Sequence, residues 1–179
     1  MRFASCGSWL AIAVLAVALS GCVFTFPSKK DARLAACQTA QGLVALELKN
    51  YDQSRYSFGD ARRRAERAAD EEESDCAEDW LSVAVVADYM EARAYAEQGK
   101  LDLAASNMQH VAAKAKPPLQ ALARLRAGHY LLALGKRDAA KDEFRRAAWN
   151  SFGNKGEYKD QVPAWLVDEA RTEYEKLLK

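Results

Sequence analysis

Two stretches of this chain repeat one another at an offset of 36 residues, the pattern of architectures in which one small unit stacks on the next. Ala92-Arg-Ala-Tyr95-Ala-Glu-Gln-Gly99-Lys-Leu101-Asp-Leu-Ala104 lies beside Gly128-His-Tyr-Leu131-Leu-Ala-Leu-Gly135-Lys-Arg137-Asp-Ala-Ala140 with the same internal spacings. Met108 and Val111 then match Phe144 and Ala147, and a weaker first copy puts Gly42, Lys49, Tyr51, Ser54, Phe58 and Ala61 in register. The turn of that first copy has Lys49 where the others have glycine. Small residues at Ala92, Gly128, Ala104 and Ala140 let two antiparallel helices approach closely, while Tyr95, Leu131, Met108 and Phe144 fill the space between neighbouring pairs.

The rest of the chain reads as helix. It is alanine-rich, and its few Gly and Pro residues fall between periodic segments. Ser28 with Asp31 approximates a capping box for a first helix running to about Lys49. Asp52 is placed to cap a second helix, and Asp75 with Glu78 a third that runs to Gln98. A fourth spans Leu101 to Lys116 and stops at Pro117-Pro118, a fifth runs from Leu119 to Leu134, a sixth from Asp138 to Trp149, and a last from Pro163 to Leu178. Leu166, Ala170, Tyr174 and Leu177 form one apolar stripe that suits this last helix to cap the exposed end of the stack.

The small residue, aromatic, turn glycine, alanine, aromatic and alanine at these separations resemble the tetratricopeptide repeat. The resemblance covers about 35–68, 85–118 and 121–154. It implies an all-α fold of antiparallel helix pairs stacked as a short tetratricopeptide-like α-solenoid of about three repeats, with a C-terminal capping helix at about 163–178. Ala45 departs from the pattern, standing where an aromatic is expected. A plain antiparallel bundle with the same spacing is the competing architecture.

The N-terminus carries an address. Leu19-Ser20-Gly21-Cys22, behind the apolar run Leu10 to Leu19, resembles the lipobox of a bacterial lipoprotein precursor. The resemblance implies a signal peptide over 1–21, a Cys22 thiol carrying thioether-linked diacylglycerol, and a tether over 22–30 leading into a helical domain over 31–179. The run is about half the roughly 20 residues a spanning helix needs, although an uncleaved anchor and cleavage at Ala13, Ala16 or Ala18 are the alternatives. Removing Met1–Gly21 takes away one arginine and no acid, leaving 158 residues with 25 basic against 25 acidic side chains. That balance argues against a nucleic-acid partner, which needs a surface excess of cations. Membrane attachment must then come from the lipid. Cys6 leaves with the signal and Cys22 is acylated, so Cys37 and Cys76 remain as a pair that an oxidising periplasm favours as a disulfide; neither has the neighbouring Cys or His of a zinc site.

No metal, cofactor or catalytic motif stands out. His110 and His129 are the only histidines, and neither lies in a nucleophile or metal pattern. There is no phosphate-cradling glycine loop and no nucleophile elbow. Asp70-Glu71-Glu72-Glu73-Ser74-Asp75 lacks the ligand spacing and turn glycine of a calcium loop and reads as a solvated junction, with Arg67 able to pair with Glu71. Trp149, Phe152, Tyr158 and Trp165 around Gly153-Asn-Lys-Gly156 read as anchors of a long connection, with a contact surface as the sharper alternative.

The tetratricopeptide resemblance implies binding by the first helix of each repeat, which in this register lines a groove with Leu43 and Leu46, then Tyr89 and Arg93, then Leu122, Leu125, His129 and Leu132. Such a groove suits an amphipathic helix or extended peptide, with Arg93 favouring a carboxylate. The expected function is a non-enzymatic scaffold or adaptor that holds a protein or peptide. By resemblance to repeat-bearing lipoproteins, its setting is envelope assembly, secretion or pilus biogenesis, or cell-wall enzyme recruitment. Val23 after the lipid cysteine leans toward the periplasmic face of the outer membrane. A permanent structural subunit of an envelope complex and a periplasmic hydrolase are the alternatives.

Overall fold

The computed structural model describes residues 30–70, 77–150 and 162–179. Among these residues are seven α-helices: α1 (Lys30–Glu47), α2 (Tyr51–Asp70), α3 (Ala77–Glu97), α4 (Leu101–Lys114), α5 (Leu119–Ala133), α6 (Arg137–Arg145) and α7 (Ala164–Lys176). They pack mainly with their sequential neighbours, consistent with stacked antiparallel helix pairs, so the all-α expectation holds. The helices fall where the sequence places them, with two local differences. Asn50, not Asp52, caps α2: its side-chain oxygen accepts from the Gln53 amide at 3.3 Å, whereas Asp52 lies inside the first turn. The sixth helix is α-helical only to Arg145 and widens into a π-helical turn over Arg146–Asn150.

The links α1–α2, α3–α4 and α5–α6 are the same turn built three times. Lys49, Gly99 and Gly135 have φ of 58°, 80° and 74°. Each donates its amide three residues back, to Leu46, Ala96 and Leu132, and the next residue donates five back, from Asn50 to Ala45, Lys100 to Tyr95 and Lys136 to Leu131. That pair of bonds satisfies the last helical carbonyls and requires a left-handed residue at the stop. A side chain there costs about 1–2 kcal/mol. Lys49→Gly is therefore expected to stabilise the chain by about 0.5–1 kcal/mol after the extra freedom of glycine in the unfolded chain is subtracted, as read by urea denaturation. An unchanged or lowered midpoint would mean that the Lys49 side chain contributes contacts outweighing the strain.

Inside each pair, one large side chain lies against one small residue sixteen positions earlier. A Cβ added to Gly42 would sit 2.6 Å from the Phe58 ring, and one on Gly128 would sit 2.5 Å from the Phe144 ring. In the middle pair the partners are Ala92 and Met108, both fully buried in one cluster. Where the second helix carries a phenyl ring the first has glycine, and where it carries the slimmer methionine the first has room for a methyl group. Ser54, in register with Ala104 and Ala140, is also fully buried and donates its hydroxyl to the Gly42 carbonyl at 3.0 Å. Most of the buried apolar side chains are alanines, which keeps the helix axes close.

The last helix covers one end. Leu166 and Ala170 of α7 are buried with Leu125, Phe144, Ala147 and Val162, and Tyr174 and Leu177 pack half-buried against the same cluster. The expected stripe is the face that α7 buries. At the other end, Val44 and Leu48 of α1 and its turn remain 61% and 74% exposed. They line a shallow hollow of about 450 Å³ with Ala40, Ala45 and Gln53.

Candidate binding surface

The eight residues expected to line a groove lie on α1, α3 and α5, but they do not form one open surface. Leu46 and Leu125 are buried, at 4% and 1% exposure, and serve the core. Leu43 is half-buried on α1. Leu122 and Leu132 are half-buried against the cluster that holds Leu125 and Leu166, so α5 and α7 share this apolar surface. The His129 ring meets the edge of Phe144 with centroids 5.2 Å apart, and its Nε2 lies 3.4 Å from Glu169 Oε1 on α7. The third hairpin's part of the expected groove is thus partly covered by the chain's own last helix.

Tyr89 and Arg93 stand apart from that cover. Tyr89 packs half-buried against the cluster of Ala92, Met108 and Ala127, and Tyr130 of α5 packs against the same cluster. Arg93, one turn beyond Tyr89, pairs with Glu97 at 3.2 Å along α3. Burial pushes the Tyr130 phenol above its ordinary pKa and the Tyr89 phenol adds to this, while the Arg126 and Arg93 guanidinium groups oppose it. Arg126 and Tyr130 belong to this surface although the sequence reading left them out. Their spacing of four residues on α5 mirrors that of Tyr89 and Arg93 on α3, with the cation first instead of second.

Other charges fasten helices together. Asp88 of α3, almost buried, accepts from Arg62 of α2 at 2.9 Å. Nearby, burial pushes the Glu91 carboxyl above its usual range, and Arg62 partly offsets this. Glu143 of α6 is also almost buried; it accepts from Gln109 of α4 at 3.0 Å and from Arg124 of α5 at 3.3 Å. Arg55 of α2 lies over the Tyr95 ring at 4.7 Å and donates to Gln98 at 2.6 Å. Each spans a packed helix junction, which gives it a structural task.

Cys37 is an exposed free thiol on α1, and Cys76 lies outside the described residues, so no disulfide is seen among those described. Cys22, the signal sequence, the tether to residue 29 and residues 71–75 of the acidic run also lie outside them. So does the centre of the aromatic loop. At its edges, Trp149 meets Tyr174 edge-on at 5.2 Å with Arg171 above it at 5.7 Å, and Trp165 is exposed. No group of three or more His, Cys, Asp or Glu among the described residues is placed to hold a metal ion, and no described helix is long and apolar enough to cross a membrane. Comparison of the chain with protein-family models, with curated proteins and with solved structures gives no match.

Proposed function

We propose that this chain is a tetratricopeptide-like scaffold of the bacterial envelope, anchored through lipid on Cys22, that holds a protein or peptide partner. The observation that carries the reading is the threefold hairpin: one left-handed stop at Lys49, Gly99 and Gly135, and one small-against-large pairing at Gly42 with Phe58, Ala92 with Met108 and Gly128 with Phe144. Units of this kind bury a core by stacking and leave their first helices available for a ligand. Tyr89 and Arg93 lie outside the apolar surface that α5 shares with α7, which favours them for partner binding. Placement at the periplasmic face of the outer membrane rests on the lipobox-like Leu19-Ser20-Gly21-Cys22 and on Val23.

Two results test the reading. Cys22→Ala should abolish membrane anchoring. A variant that still sediments with membranes in high salt and still incorporates labelled fatty acid would remove the anchor from the proposal. Cross-linking in intact cells, followed by mass spectrometry, should give a partner whose recovery falls about tenfold in Tyr89→Ala or Arg93→Glu with both variants still folded, Tyr89→Ala losing about 1–2 kcal/mol of ring packing and Arg93→Glu less than about 1 kcal/mol. Undiminished recovery in both variants would move binding away from this surface.

A further inference from the structure

The Tyr89–Tyr130 surface carries more hydrogen-bonding and positive capacity than the chain itself uses. Arg126 is exposed, and no hydrogen bond or ion pair reaches it among the described residues. The phenols of Tyr89 and Tyr130 likewise have no hydrogen-bond partner there, although both rings are seated on one buried cluster. Glu97, an acid that acts on the Tyr130 phenol, is engaged by Arg93. Val86, one turn before Tyr89 on α3, is 42% exposed and offers an apolar contact. Two positioned phenols, two guanidinium groups of which one is unpaired, and an apolar side chain one turn away are complementary to a carboxylate flanked by aliphatic groups.

We infer that this surface takes an acidic segment of a partner protein, with an Asp or Glu carboxylate held between the Tyr89 and Tyr130 phenols by Arg126 and Arg93 and a neighbouring aliphatic side chain set against Val86. The inference rests on the scaffold reading and adds the partner's chemistry to it. Arg126 supplies the attraction at least cost, because engaging it breaks no existing pair, whereas Arg93 must share its guanidinium with Glu97. Rings fixed by packing present their hydroxyls with little loss of side-chain freedom.

The test uses the full chain in detergent, ¹⁵N-labelled, titrated with a capped peptide of Leu-Ala-Ala-Glu repeats and with its Leu-Ala-Ala-Gln counterpart. The Glu peptide should shift the amide signals around Tyr89, Arg93, Arg126 and Tyr130, the Gln peptide should bind about tenfold more weakly, and Arg126→Gln should cost the Glu peptide a similar factor. Equal binding of the two peptides overturns the acidic preference but leaves the surface as a docking site. Signals at these residues that move on dilution without peptide assign the surface to a second copy of the chain and overturn the inference. Failure of both peptides also overturns it. In that case a photo-cross-linking residue at Val86 in cells decides the scaffold reading separately: a partner captured there preserves it, and none removes it.

Discussion

Gly128→Ala is expected to destabilise the chain by about 2 kcal/mol, an unusual sign for a glycine in mid-helix, where alanine ordinarily gains up to about 1 kcal/mol. The added methyl group would stand 2.5, 2.7 and 2.9 Å from three ring carbons of Phe144, a side chain with no exposed surface in which to move aside. Phe144→Ala removes the same contact from the other side and should cost about 4 kcal/mol, the loss of a buried ring plus the cavity it leaves. That is a large share of a stability of roughly 5–15 kcal/mol, so thermal unfolding should show it directly. The decisive variant combines Gly128→Ala with Phe144→Met and reproduces the Ala92 and Met108 pair of the middle hairpin. Coupling of about 1–2 kcal/mol is expected, with the double variant more stable than Gly128→Ala alone. Additive losses would show that the three hairpins share a turn but not a packing rule.

This pairing was only half legible in the sequence: the register singles out the residues, but it assigns Met108 and Phe144 to the space between neighbouring pairs, whereas each packs inside its own pair against Ala92 or Gly128. Side-chain volume leaves a trace when one residue fits only beside another sixteen positions away, and Gly42, Phe58, Ala92, Met108, Gly128 and Phe144 carry that trace in the linear chain. The turns were legible at Gly99 and Gly135 for the same reason, since a left-handed backbone selects glycine. Lys49 adopts the same φ without it, and its residue type does not mark that position as a left-handed stop. Rotation about each helix axis was not legible. The register names α1, α3 and α5 as candidate lining helices, but a shift of one residue turns a side chain by about 100°. Leu46 and Leu125 accordingly lie in the core. His129 meets Glu169 through the return of α7 across the end of the stack, a contact that no local spacing encodes. The charges at Asp88 and Glu143 belong to the same class: on a helical wheel they look solvated, and only packing reveals them as partners of Arg62 and of Arg124.

Arg124→Met is expected to cost about 3 kcal/mol, although it replaces a charge with an apolar side chain of similar length in a mostly apolar surrounding. The cost arises on Glu143, whose side chain is 6% exposed and whose carboxylate would keep only the Gln109 amide as a donor. A buried carboxylate stripped of its cation loses the attraction that offset its desolvation, while little else is lost with the arginine, whose Nε is buried without a partner. Glu143→Met alone should be costly for the converse reason, but less so, because the Arg124 side chain is 19% exposed and can turn its guanidinium toward water. Removing both charges as Arg124→Met with Glu143→Met should then recover most of the loss, since two methionines fill the junction of α5 and α6 without a desolvation penalty. Chemical denaturation of the four proteins forms a closed cycle. A double variant no better than Arg124→Met alone would show that this ion pair stabilises the junction in its own right. A loss below about 1 kcal/mol for Arg124→Met would show that water reaches Glu143 and that the pair behaves as a surface bridge.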